Sequence, residues 1–172
     1  MHLKNGSARF VLVSSNPLTY SVEGILDEKF VYSQMSEQLQ NHKGVCYFDI
    51  GKIERVNSRG IRLWVQFLKS ISHCKVVYCN APVIMMDQFL MVPEFLGEGS
   101  EIRSFEVNGY CSKCETLQPV WCSQRESDPI LIPNSKGEYI LRKGECVTCG
   151  AKGLLFEGDW EQLKGLVHFR SS

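Results

Sequence analysis

Val45-Cys-Tyr-Phe-Asp-Ile-Gly-Lys-Ile-Glu-Arg-Val-Asn-Ser-Arg-Gly60 is the stretch on which the fold turns. Val45-Cys46-Tyr47-Phe48 is a continuous apolar run, the pattern of a strand covered on both faces. A loop follows and leads to Asn57 and Ser58, whose side-chain oxygens suit the cap of a helix. That helix is predicted to run from about Ser58 to Ser72. Ile61, Trp64, Val65, Leu68 and Ile71 form its core stripe, and Arg62, Gln66 and Lys69 its wet face. Leu63 and Phe67 fall off the stripe, toward solvent.

The neighbouring segments extend the pattern. Upstream, Arg9 to Val13 and Thr19 to Val22 read as two short strands around the Asn16-Pro17 turn. Asp27 to Asn41 reads as a helix, with Val31, Met35 and Leu39 at a four-residue step and Gly44 after it as a stop. Downstream, Lys75 to Cys79 is a second buried strand. Val83 to Leu96 is a helix rich in methionine (Met85, Met86, Met91) and broken near its end by Pro93. Glu101 to Val107 is a last strand. The order β-β-α-β-α-β-α-β predicts an α/β domain with a mixed sheet and packed helices.

From Asp49 to Gly60 the chain resembles the signature of the STAS family, the anti-sigma-factor antagonists and related domains of sulfate transporters. In that signature an aspartate ends an apolar strand, apolar residues sit in the loop, and Asp-Ser-Ser/Thr-Gly opens an amphipathic helix. Asp49 matches the aspartate, Ile53 and Val56 the apolar loop positions, Ser58 the first serine and Gly60 the glycine. Asn57 stands where the motif has aspartate. The order of elements over residues 9–107 also agrees. The resemblance implies a STAS-like fold and a bacterial, non-enzymatic module that binds a signalling protein, an anti-sigma factor or a kinase-like ATPase. Another branch of the family implies an accessory subunit contacting the ATPase of a lipid-transporting ABC complex.

One departure bears on regulation. The residue directly before the glycine, phosphorylated in the antagonist branch, is here Arg59, which has no hydroxyl. Ser58 remains, as a helix cap or as an alternative phosphosite. A cation in the first turn opposes the helix dipole by about 0.3–1 kcal/mol. Arg59 is therefore either solvated or paired, with a local carboxylate such as Glu54 or with a carboxylate or phosphate of a partner. With Asn57, Ser58, Leu63 and Phe67 it makes up the candidate partner-binding surface. The competing expectation for Leu63 and Phe67 is that the ribbon or the methionine-rich helix covers them.

Beyond this domain, Cys111-Ser-Lys-Cys114 and Cys146-Val-Thr-Cys149 make two Cys-x-x-Cys turns separated by residues 115–145. Two such turns facing each other complete a tetrahedron of thiolates, the donor set and geometry that suit zinc. Gly150 can take the left-handed conformation that a knuckle needs. With all four positions filled by sulfur the metal is structural. Residues 108–172 are thus expected to form a small β-rich zinc ribbon joined without a linker to the STAS-like domain, residues 1–107. Residues 122–137, with Pro129, Pro133 and Gly137, form the polar connection between the knuckles, and Asp159 to Leu166 a short terminal helix anchored by Trp160.

Composition narrows the function classes. The chain has 172 residues, 44% hydrophobic and 22% charged, the balance of a globular protein. Charge is even in both parts: 11 basic and 11 acidic side chains in residues 1–106, and 8 of each in 107–172. Nucleic-acid binding rests on phosphate neutralisation, so a nucleic-acid-binding ribbon is the weaker alternative. No apolar run reaches the length of a membrane span, and Met1 to Phe10 lacks a signal pattern. Eight cysteines, half of them in a metal pattern, suit a reducing cytoplasm. Of the rest, Cys46 and Cys79 lie in apolar strand runs as small buried hydrophobes. No phosphate-binding glycine loop and no nucleophile elbow occurs, and the four histidines lack metal spacing, so no enzymatic role is expected.

Overall fold

The apolar run at Val45 does not stop at Phe48. In the computed structural model, which describes residues 7–123 and 131–167, β3 spans Val45–Val56 and takes in the segment expected to be a loop. Its first half lies between two parallel neighbours, β2 (Leu18–Leu26) and β4 (Lys75–Cys79). Its second half pairs with β2 alone, through two register shifts, as far as Leu26↔Val56. Lys52, Glu54 and Arg55 are exposed there while Ile50 and Ile53 are buried. Glu23 on β2 takes the Lys52 ammonium at 2.6 Å. A strand with one free edge and a wet face lacks the apolar run of its interior half, which is why its sequence resembles a loop.

β1 (Arg9–Ser15) pairs antiparallel with β2, and β5 (Glu101–Ile102) parallel with β4. The first sheet therefore has the order β1-β2-β3-β4-β5 and is mixed, as expected. α1 (Ser33–Leu39), α2 (Ser58–Ser70), α3 (Val83–Met91) and α4 (Pro93–Leu96) belong to this half of the chain, and Pro93 breaks the methionine-rich helix in two. The core is largely aromatic: Phe48, Trp64, Phe67, Tyr78, Phe89 and Phe95 are fully buried. Tyr78 keeps its hydroxyl satisfied by donating to the Leu96 carbonyl at 2.9 Å.

Two expectations are corrected in this half. The helix predicted over Asp27–Asn41 is confined to Ser33–Leu39. Asp27 uses its carboxylate locally, accepting from the Lys29 N–H at 3.0 Å and the Ser7 hydroxyl at 2.9 Å, and its carbonyl closes a turn with Phe30 N–H. Such local bonding competes with helix formation. Phe30 is buried, and Val31 is 72% exposed rather than part of a core stripe. The second correction concerns Phe67, which does not face solvent. It is fully buried, its ring 5.0–5.9 Å from those of Phe10, Phe48, Trp64 and Tyr32.

Trp64, Leu68 and Ile71 are buried as expected; Gly60 and Phe67 join them, and Ile61, Leu63 and Val65 are half-buried at the flanks. Gly60 sets the rotation. A Cβ there would lie 2.0 Å from the Leu26 carbonyl oxygen, so the bare backbone of α2 rests directly on the end of β2.

The strand expected over Glu101–Val107 divides between two sheets. β6 (Ser104–Cys111) opens the second sheet, so the 107/108 boundary falls inside a strand. Main-chain bonds carry the crossing: Arg103 N–H to the Tyr78 carbonyl, Ala81 N–H to that of Ser104, and Glu106 N–H to that of Ala81. β7 (Thr116–Ser123), β8 (Leu131–Pro133), β9 (Tyr139–Glu145) and β10 (Lys152–Phe156) complete an antiparallel sheet of order β7-β6-β10-β9-β8. The connection expected over 122–137 holds the end of β7, β8 and an Asn134–Gly137 turn, and its residues 124–130 lie outside the described residues. α5 (Trp160–Leu166) is capped by Asp159. Trp160 meets Tyr139 at 5.7 Å, but Leu163 is the buried anchor. Among the described residues no helix is long and apolar enough to cross a membrane.

Replacing Gly60 by alanine is predicted to destabilise the protein by about 3 kcal/mol or more, because the obstacle is backbone and cannot rotate away. Urea unfolding of the variant against wild type measures it; an alanine at exposed Gly99, where a Cβ would meet nothing within 4 Å but φ is +69°, should cost only about 1 kcal/mol.

Candidate metal centre

The two Cys-x-x-Cys turns are the tips of two hairpins. The first joins β6 to β7 and the second joins β9 to β10. Because β6 pairs with β10, both tips lie at the same end of the second sheet. The sulfurs of Cys111, Cys114, Cys146 and Cys149 all lie within 4.8 Å of one another and could hold a metal ion. Three separations are 3.4 Å (Cys114–Cys146), 3.7 Å (Cys111–Cys149) and 3.7 Å (Cys114–Cys149). A tetrahedron with metal–sulfur bonds of about 2.3 Å has edges of about 3.8 Å. A disulfide would need about 2.05 Å, and all four cysteines are free.

The electrostatics of the four thiols favour a cation. The Cys114 N–H, then that of Lys113, holds the Cys111 thiol below its ordinary range. Burial raises Cys146, but the N–H groups of Cys149 and Thr148, with the Cys114 and Cys111 thiols, bring it down to about 6. Cys114 goes the other way. The Thr116 hydroxyl pulls it down, yet Cys146, burial, Cys111 and Cys149 push it up to about 12. Four sulfurs this close do not all ionise by themselves, and a divalent cation at their centre would supply the missing charge.

The turns are held by groups that the cysteine spacing does not reveal. Gln118, a buried side chain on β7, donates to the Glu145 carbonyl at 2.9 Å and accepts from the Val147 N–H at 3.0 Å, clasping both sides of Cys146. Thr116 lies 3.2 Å from the Cys114 sulfur. A polar residue at an inward position of an alternating strand is the sequence signal for Gln118. The two turns also differ. Gly150, after Cys149, has φ +67°, while the equivalent residue after Cys114 is Glu115 at φ +56°. The first turn thus carries a side chain in a conformation that favours glycine.

Asn57, Ser58 and Arg59 are all exposed at the start of α2. Asn57 is the cap: its Oδ1 accepts from the N–H groups of Arg59 (3.0 Å) and Gly60 (2.8 Å), and its Nδ2 donates to Glu28 at 3.1 Å. The Ser58 hydroxyl is therefore not the capping group. Glu28, which nothing in the sequence pattern singles out, is the carboxylate beside this terminus. Its own N–H, the Asn57 amide and the Arg59 charge lower its pKa. Leu63 is half-buried and Phe67 buried, so the two do not form an exposed apolar pair. Asp49 accepts from the Gly51 N–H at 3.1 Å. Cys46 is fully buried, its thiol pushed up to about 12 by burial, whereas Cys79 is only half-buried.

No protein-family model, no characterised protein and no solved structure matches this chain.

Glu115→Gly is predicted to raise the stability of the metal-bound protein by about 1 kcal/mol, and Gly150→Ala to lower it by a similar amount. Chemical denaturation of the two variants reads both signs; equal and small effects would show that the turns carry no conformational strain.

Proposed function

We propose that this chain is a non-enzymatic regulatory module. Its first sheet and helices act as a STAS-like domain that binds a bacterial signalling protein, an anti-sigma factor or a kinase-like ATPase, in the cytoplasm. Its second sheet is a zinc ribbon that stiffens it. The observation that carries the reading is the start of α2. Asn57, Ser58 and Arg59 stand exposed on a helix end fixed by the Asn57 cap and by the contact of Gly60 with Leu26. A rigid terminus that presents a cation next to a hydroxyl suits an acidic partner surface. Phe67, being buried, leaves the binding set, and half-buried Leu63 remains at its rim. Control by phosphorylation of residue 59 is excluded by its chemistry, so the switch lies at Ser58, in the ribbon or in partner abundance.

Zinc is the metal that best fits four thiolates in a closed tetrahedron. With no open coordination position it activates no water, and it supplies folding energy to a small sheet. The protein is expected to carry one zinc per chain by elemental analysis. Cys111→Ser should lose the metal and loosen the second sheet, and Cys122→Ser should retain it. Full zinc retention in a Cys111/Cys146 double serine variant would defeat the assignment.

Partner binding is checked by calorimetry with candidate anti-sigma factors and kinase-like ATPases from the same genome. Arg59→Glu should weaken binding by about 2 kcal/mol or more while leaving the circular dichroism spectrum unchanged. Unaltered affinity in both Arg59→Glu and Ser58→Asp would remove this surface from the function.

A further inference from the structure

Val31, expected in a core stripe, is exposed, and so is Leu12 on β1 at 58%. Both line one cleft of about 470 Å³ between β1 and α1. Buried Ala8 and Met35 and half-buried Phe10 extend its apolar lining. Small-molecule sites run from about 300 to 1,000 Å³ and combine such a lining with a few polar groups. Here the polar groups are of one kind. Lys29, Tyr20, Gln34, Gln38 and Arg9 can each donate a hydrogen bond, and no carboxylate lines the cleft. Arg9 is paired with Glu23, but Lys29 has no ion pair among the described residues. Gln34 and Gln38 stand one turn apart on α1, both exposed.

Tyr20 adds an independent observation. Its side chain is only 8% exposed, and its hydroxyl makes no hydrogen bond among the described residues. Trp64 Nε1 is the only fully enclosed side-chain polar atom without a partner among those residues. The Tyr20 oxygen is therefore not sealed in the core and opens to the cleft that its side chain lines. A hydroxyl so deeply buried is costly to leave unbonded. Burial, then the Cys46 thiol, raises its pKa, so it stays protonated and remains a donor.

We infer that this cleft binds a small organic acid, a carboxylate carried on a hydrocarbon body. The carboxylate accepts hydrogen bonds from donors of the cleft, the Tyr20 hydroxyl and the Lys29 ammonium foremost, and the hydrocarbon lies against Leu12, Val31, Phe10 and Met35. The polar lining selects the head. An ammonium ligand would meet donors only, and an acid meets donors, a cation and no competing carboxylate. The apolar lining selects the body, because an inorganic anion would leave exposed Leu12 and Val31 in water. Ala8 to Leu12 is four steps along an extended strand, about 13 Å, the scale of a medium-chain acid. The cleft shares no residue with the start of α2 or with the four cysteines, so the inference stands apart from the partner and metal readings.

Calorimetric titration of the full chain with sodium decanoate, and with decyltrimethylammonium as the probe of opposite charge, tests the site. Decanoate is expected to bind with a Kd of about 0.1–1 mM, and the cation not to bind. Tyr20→Phe should weaken decanoate by about fivefold or more. It should not lower the stability of the free protein, since the lost hydroxyl has no partner there. Lys29→Gln should weaken decanoate by about fivefold, and Lys136→Gln, in the Asn134–Gly137 turn, should leave it unchanged. Leu12→Glu, at an exposed position, should abolish binding with the circular dichroism spectrum unaltered. Absence of decanoate binding would overturn the inference, as would equal binding of the two probes or indifference to Tyr20→Phe and Lys29→Gln together. A dimer that Leu12→Glu dissociates, with no heat from decanoate, would mean that a second copy fills the cleft and would overturn it too.

Discussion

The contact on which the first half of the molecule depends is the approach of α2 to the end of β2. Asn57 N–H donates to the Leu26 carbonyl at 3.0 Å, and three residues later the Cα of Gly60 passes so close to the same carbonyl that no side chain fits. These two facts fix where the helix starts and how it is rotated. Rotation decides burial, because Trp64, Phe67, Leu68 and Ile71 follow from Gly60 at helical spacing. Trp64 and Phe67 then reach Phe48 on β3, and Trp64 reaches Tyr78 on β4. One glycine thus aligns the aromatic core, and the same clamp leaves Asn57, Ser58 and Arg59 on a surface that cannot drift.

The second half is organised by a different force. Its strands are short and bury Phe105, Val107, Leu131, Leu141 and Leu154. The tips of hairpins β6–β7 and β9–β10 carry the four cysteines, so a metal bound at that point would tie the two hairpins together. Gln118 does the same by hydrogen bonding, from β7 to the main chain on either side of Cys146. The amide holds the second turn, and a bound metal would fix the sulfur separations.

What was legible in the sequence followed from local rules. The alternation of strands and helices, the break at Pro93 and the grouping of the four cysteines all come from short-range pattern or from ligand chemistry. The failures share a different cause. The outer half of β3 is a strand because β2 pairs with it, and its charged residues carry no apolar signal of their own. The rotation of α2 is set by a backbone contact between residues 26 and 60, which no amphipathic pattern encodes. Trp64, Leu68 and Ile71 follow the amphipathic pattern, whereas Gly60 and Phe67 take the buried places that Ile61 and Val65 were expected to fill. The shortened α1 reflects the side chain of Asp27, which serves a turn where a helix was expected.

The two halves are joined through β6 rather than through a linker. Its start is bonded to Ala81, which follows β4, and Phe105 is buried at that junction. Its end is Cys111, a member of the sulfur cluster. One strand of eight residues therefore reaches from the first sheet to the candidate metal centre, a span of about 26 Å. β6 is paired with β7 along its whole length and with β10 at Gly109 and Tyr110, so the end nearest the sulfurs is held on both edges. Order imposed at Cys111 is transmitted to Phe105 by the same ladder that aligns β7, and from there to the end of β4. A metal bound at the far end of β6 would be linked through one strand to the first sheet, which gives a physical reason for the two sheets to be continuous in one chain.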